Sequence, residues 1–187
     1  MTIITALCES DKIWLGENTA VTVGDAILVD GTSKWSAFGD WYLGGAGDSV
    51  QIDILRLNSD DLSKPDMDAR KIAQTIRDIF KEHDIAAKDE EDASARYGIS
   101  CILAHKNGRV FDLDPSLAIS PIPEGKLWAS GSGRDYALGA DAALQGLSLS
   151  AEERMNRATN AAIACDVNCP GEARVFLLGD ERPGPSS

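Results

Sequence analysis

The chain has 187 residues, 43% of them hydrophobic, which is enough for one sizeable core and too many for a disordered polymer. Eighteen Lys and Arg stand against thirty Asp and Glu, a formal net charge of −12, so the basic footprint that nucleic acids and anionic membranes need is missing. No apolar run reaches the roughly 18 residues of a membrane span, and the opening Met1-Thr-Ile-Ile-Thr lacks the basic start and long apolar stretch of a secretory signal.

Residues 2–8 are apolar and β-branched and read as a strand, Ser10-Asp11 as a turn, and residues 12–16 as a partner strand, so the chain opens with a hairpin. Short strands are expected over 19–23, 26–30, 34–38 and 41–43, punctuated by Gly24-Asp25 and Asp30-Gly31, with the last running into Gly44-Gly45-Ala46-Gly47. Such closely spaced hairpin turns favour antiparallel pairing. Asp48-Ser49 can cap a helix with Val50, Ile54 and Leu57 on one face, followed by a polar loop from Asp60 to Pro65. Asp66 and Asp68 place negative charge at the start of a second helix, whose stripe is Ile72, Ile76, Ile79 and Phe80 and whose end lies near His83. Residues 86–96 carry charge without apolar period and read as a solvated loop.

A long strand over 97–105, an Asn107-Gly108 turn and a partner over 109–113 make another hairpin, and short strands are expected at 117–119 and 126–129. Ser130-Gly-Ser-Gly opens a helix carrying Tyr136, Ala140, Ala143, Leu144 and Leu147. Ser150-Ala-Glu-Glu153 has the capping-box pattern and starts a last helix that runs to about Asp166. Residues 174–178 form a final strand, and the Pro-, Gly- and Ser-rich residues 180–187 read as a frayed tail. The order is hairpins, two helices, hairpins, two helices, strand. It predicts a single α+β domain over 1–179, with two stacked antiparallel sheets and helix pairs on both outer faces, a four-layer αββα sandwich.

Cys8, Cys101, Cys165 and Cys169 form no C-x-x-C pair, and His83 and His105 lie far apart, so neither a metal nor a cofactor is expected. Four reduced thiols fit a cytoplasmic protein, with Cys8 and Cys101 as small buried hydrophobes. There is no G-x-S-x-G and no phosphate loop; Gly131-Ser132-Gly133 at a helix start is a weak anion-binding signal. Thr2 directly follows Met1. Loss of Met1, which a small second residue permits, would free an α-amine whose ordinary pKa is about 7.7–8.0, close to working pH. Such an amine can act as base for the hydroxyl of its own residue without any histidine. On the residues alone, Thr2 reads as the first residue of a strand, since Met-Thr starts are common.

Four segments together resemble the proteasome β-subunit family, most closely its bacterial HslV-type peptidases, which are N-terminal-nucleophile (Ntn) hydrolases. These are Met1-Thr-Ile-Ile-Thr-Ala, Ile13-Trp-Leu-Gly-Glu-Asn-Thr-Ala-Val-Thr-Val-Gly-Asp25, Tyr42-Leu-Gly-Gly-Ala-Gly-Asp48 and Leu127-Trp-Ala-Ser-Gly-Ser-Gly-Arg-Asp-Tyr-Ala137. They keep their order along the chain, and Ala161–Leu178 also fits. The resemblance implies the αββα fold and a threonine peptidase in which Thr2 is the nucleophile. It implies Lys34, 32 residues later, as the essential lysine beside Thr2. Gly44 or Gly45 would supply the oxyanion-hole N–H, and Ser132 and Asp166 would hold the terminal amine. The family aspartate that pairs with the lysine is replaced: by motif the match is Glu17, by distance along the chain Asn18. The resemblance further implies peptide or unfolded-protein substrates, a homo-oligomeric ring and an ATPase unfoldase. A non-catalytic subunit of the same fold, or an Ntn amide hydrolase for a small non-peptide substrate, are the other readings.

Overall fold

The computed structural model describes residues 2–23, 26–29, 32–90 and 93–180. The expected turns at Gly24-Asp25 and Asp30-Gly31 and the tail from residue 181 lie outside the described residues. The opening hairpin pairs β1 (Ile3–Glu9) with β2 (Lys12–Asn18) around Ser10 and Asp11, both at positive φ. A two-stranded ribbon follows, β3 (Ala20–Val23) with β4 (Ala26–Val29), then β5 (Trp35–Phe38) and β6 (Trp41–Gly47). Helices α1 (Ser49–Leu57), α2 (Ser59–Leu62) and α3 (Ala69–Glu82) come next. After them the chain forms a ribbon of β7 (Lys88–Glu90) and β8 (Ala93–Arg96), then β9 (Ile99–His105), β10 (Arg109–Leu113), β11 (Ile119–Ile122) and β12 (Leu127–Gly131). Helices α4 (Arg134–Leu144) and α5 (Ala151–Cys165) precede β13 (Ala173–Leu177).

Two antiparallel sheets result, a four-stranded one in the order β12-β1-β2-β13 and a five-stranded one in the order β11-β10-β9-β6-β5. The apolar side chains sort into three packed groups that define the layers. Ile72, Ile76, Ile79 and Phe80 of α3 pack on Leu43, Leu103 and Leu113 of the five-stranded sheet. Ile4, Ala6, Leu15, Ile102 and Val110 meet between the sheets, together with Trp35. Ile3, Leu7, Met155, Ala158 and Ala162 join the four-stranded sheet to α5. Strand β1 is buried on both faces because alternate residues serve different layers, Ile3 and Leu7 on one side and Ile4 and Ala6 on the other. The architecture is the four-layer αββα sandwich expected from the element order.

Helix starts follow the sequence signals. Asp48 accepts the N–H groups of Val50 and Gln51, Asp68 that of Lys71, and Ser150 that of Glu153. The face of α1 departs from expectation. Ile54 packs inward, but Val50 and Leu57 are 63% and 81% exposed, and Ile52 and Leu55 face the core instead. On α4 the inward residues are Ala137 and Asp141, while Tyr136 is exposed and Leu147 lies beyond the helix end. Asp141 tolerates burial because Arg154 of α5 grips it with two bonds, Nε to Oδ1 at 2.5 Å and Nη2 to Oδ2 at 2.9 Å. Residues 86–96, expected to be a loop, contain the β7–β8 ribbon. The strand expected at 117–119 instead begins at Ile119, after a turn in which Leu117 takes a positive φ. Within the polar segment Asp60–Pro65, α2 adds a single helical turn that ends at Leu62.

Candidate active site

At the start of β1, Ile3 faces Gly131 of β12 and donates its N–H to Asn18 Oδ1 at 3.0 Å. Thr2 stands one residue outside this ladder and lines a pocket of about 260 Å³. Gly47, Tyr97, Ile99, Pro115 and Ser132 are among its other walls. Two glycines keep the opening free. At Gly131, with φ of +103°, a Cβ would lie 2.0 Å from the Thr2 carbonyl oxygen. At Gly47, with φ of +115°, it would lie 2.2 Å from the Gly98 carbonyl oxygen. No side chain fits either position, and only glycine adopts those backbone angles without strain.

Lys34 precedes β5 and is 7% exposed. Its ammonium donates to the carbonyl oxygens of Asn18 at 2.7 Å and Ala20 at 3.0 Å. Asn18 therefore connects the two sequence-predicted residues, with its side chain on the amide next to Thr2 and its carbonyl on the lysine. The Asn18 side-chain amide also donates to Ala20 O at 3.1 Å and Pro170 O at 2.8 Å. Consecutive strand residues point to opposite faces, so Glu17 turns the other way. The Glu17 carboxylate accepts the Lys34 backbone N–H at 2.6 Å, the Ser33 hydroxyl at 3.1 Å and Arg174 Nη1 at 3.1 Å. The sequence left Glu17 and Asn18 as alternatives. The fold sets Asn18 under the lysine ammonium and against β1, and Glu17 under the lysine's main chain.

Ser132 and Asp166 come together through a residue the sequence reading missed. Ser132 Oγ lies 3.3 Å from Cys169 Sγ, and that thiol donates to Asp166 Oδ2 at 3.2 Å. Burial works to raise the Asp166 pKa, but hydrogen bonds from Ser132, the Asn168 backbone and Cys169 outweigh it and hold the carboxyl below its ordinary range. Burial is the main cause that pushes the Cys169 thiol up to about 11, so at neutral pH it remains a protonated donor. The signal in the sequence was a thiol three residues past a helix-ending aspartate, which no local pattern marks as functional.

Gly44 and Gly45, the expected oxyanion donors, lie deeper in β6 and do not line the Thr2 pocket. A Cβ at Gly44 would strike the Trp35 indole, and the Gly45 N–H already donates to Lys34 O at 3.1 Å. Strand alternation sends the Gly47 N–H to the same side as that of Gly45, beyond the end of β5. Gly47, and neither Gly44 nor Gly45, lines the pocket with Thr2. Among the described residues no group of three or more His, Cys, Asp or Glu is arranged to hold a metal ion. Nor is any described helix long and apolar enough to cross a membrane.

Two stacked antiparallel sheets between helix pairs make the sandwich seen in solved structures of the HslV type. Among solved structures, BPH of Thiobacillus denitrificans superposes with a TM-score of 0.77 at 21% identity, covering 98% of each chain. The same protein in complex with epoxomicin gives the same score and identity over 99% of this chain and 100% of that one. Eukaryotic HslV from Trypanosoma brucei gives 0.65 at 18% identity over 94% of this chain and 98% of that one. No family model matches the chain, and no curated protein matches it in sequence. At these identities the likeness is one of fold.

Proposed function

We propose that this chain is a threonine-type endopeptidase of the proteasome and HslV kind, with Thr2 as nucleophile once Met1 is removed. The observation that carries the reading is the setting of Thr2. It stands outside the β1 ladder in an open pocket, with Gly47 and Ser132 in its walls and the buried Lys34 one residue's hydrogen bonds away through Asn18. The freed α-amine takes the Thr2 hydroxyl proton as Oγ attacks a peptide carbonyl. The Gly47 N–H and the Lys34 charge stabilise the negative oxygen that develops. The amine product leaves with the transferred proton, and water activated by the same α-amine hydrolyses the Thr2 ester. Ser132 and the ionised Asp166 hold the amine end of the site. The Thiobacillus fold neighbour has been solved with epoxomicin, which supports choosing an epoxyketone as probe.

Substrates on this reading are peptides or unfolded proteins. The chains form a homo-oligomeric ring in the cytoplasm that an ATPase unfoldase feeds. Intact-protein mass spectrometry before and after epoxyketone exposure tests the proposal. Loss of Met1 and a single adduct on Thr2, absent in Thr2→Ala, is the expected result; a retained Met1, or a free Thr2 that never reacts, overturns it.

One observation favours a second reading, a non-catalytic subunit of the same fold. The residue whose carbonyl receives the Lys34 ammonium is Asn18, an amide where the resemblance implies an aspartate, and its side chain is committed to Ile3, Ala20 and Pro170. A free Thr2 with no adduct and no peptide hydrolysis is the outcome that selects it. A third, an Ntn amide hydrolase for small non-peptide substrates, would show the adduct without peptide cleavage.

A further inference from the structure

The pocket beside Thr2 has walls of a definite chemistry. Tyr97, Ile99, Pro115 and Ala46 supply apolar surface, and no charged side chain is among the described residues that line it. Its frame is fixed from behind. The Tyr97 ring lies 4.9 Å from that of Phe80, a fully buried residue of α3, and the Tyr97 N–H donates to Pro115 O at 2.8 Å. The floor is pinned by Ser100 Oγ and Ser130 Oγ, 2.5 Å apart, a bond that ties β9 of one sheet to β12 of the other. Lys34 is not among the lining residues.

We propose that this pocket is a specificity subsite, with Tyr97 and Pro115 as its selecting walls, that takes an uncharged apolar side chain adjoining the scissile bond. The inference rests on Thr2 being the nucleophile, which fixes the scissile bond at the pocket mouth. A charged side chain entering here gives up its hydration and meets no opposite charge among the described lining side chains. An acidic one is disfavoured further by the chain's net charge of −12. An apolar side chain displaces water from apolar walls and gains contact.

The test uses the full chain and a peptide library varied at both residues flanking the scissile bond, with cleavage sites mapped by mass spectrometry. At one of the two flanking positions, apolar residues are expected to be preferred over Asp by about tenfold or more. Tyr97→Lys and Pro115→Lys, two neighbouring lining positions, are each expected to reverse that preference toward Asp and Glu at the same position. Tyr97→Phe keeps it. The readout is a ratio between substrates cleaved by one preparation, so a change in overall rate does not enter it, and Pro115 lies outside the core should Tyr97→Lys fold poorly. A wild-type preference that neither lysine variant moves, with the Thr2 adduct still forming on the wild-type chain, overturns the subsite and leaves the nucleophile standing. Absence of the Thr2 adduct on the wild-type chain overturns both.

Discussion

Asp166 sits at the C-terminal end of α5, mostly buried, and remains ionised because Ser132, Asn168 and Cys169 all donate to it. A carboxyl whose folded pKa lies below its unfolded value contributes stability above the unfolded value and loses it as pH falls. The unfolded value for an aspartate is about 3.9. Asp166→Asn is therefore expected to melt below the wild type at pH 7, with the gap closing only as pH drops below about 4, toward the lowered folded pKa; thermal melts from pH 7 to below that point check it. A gap that holds constant with pH would mean that Asp166 acts through shape alone. The neighbouring thiol has the complementary property. Pushed up to about 11, Cys169 keeps its proton at neutral pH and can go on donating to the carboxylate.

Among the elements, α3 shows the clearest agreement between pattern and packing. Its Ile72, Ile76, Ile79 and Phe80 are all at most 3% exposed, and the fully buried Ile76 sits mid-helix against the five-stranded sheet. Ile76→Ala is expected to cost about 2–5 kcal/mol. Ser150→Ala, which removes only the cap of α5, should cost about 1 kcal/mol. Denaturant midpoints at unchanged slope measure both. Helix α1 teaches the opposite lesson. A spacing of four and three residues aligned Val50, Ile54 and Leu57, but an equally good helical spacing joins Ile52 to Leu55, and the core took Ile52, Ile54 and Leu55 and left Val50 and Leu57 outside. A short helix with apolar residues all round carries no internal signal of which face lies down.

Seen as a whole molecule, the sandwich leaves Val50 and Leu57 exposed on one outer layer and Tyr136 and Leu147 exposed in the region of α4 on the other. The ring reading gives such surface a use, since exposed apolar residues of this size are what contacts between copies cover. Light scattering is expected to give a mass several times that of one chain, and Leu57→Glu to reduce it. Each copy carries a charge of −12, so assembly brings like charges together. Association should be more complete in about 0.3 M salt than in about 0.03 M, because screening weakens that repulsion. A monomer under both conditions would sink the ring.

The sequence by itself determined most of the elements, their order and the sandwich they build, but not the β7–β8 ribbon or α2. Those it determined depend on local rules: the apolar β-branched run of β1, the stripe of α3, the caps at Asp48, Asp68 and Ser150, and turns rich in Gly, Asn and Asp. It also brought Thr2, Lys34, Ser132 and Asp166 forward as candidates, through a resemblance carried by short ordered motifs. Three points were decided only in three dimensions. The choice between Glu17 and Asn18 depends on which face of β2 meets Lys34, and one residue along a strand reverses that face. Which glycine of β6 lines the Thr2 pocket depends on where β5 ends beside β6. Cys169 joins Ser132 to Asp166 only because β12 and the end of α5 meet across a gap of 37 residues in the chain. Contacts of that kind are set by how layers pack, and no window of local sequence encodes them.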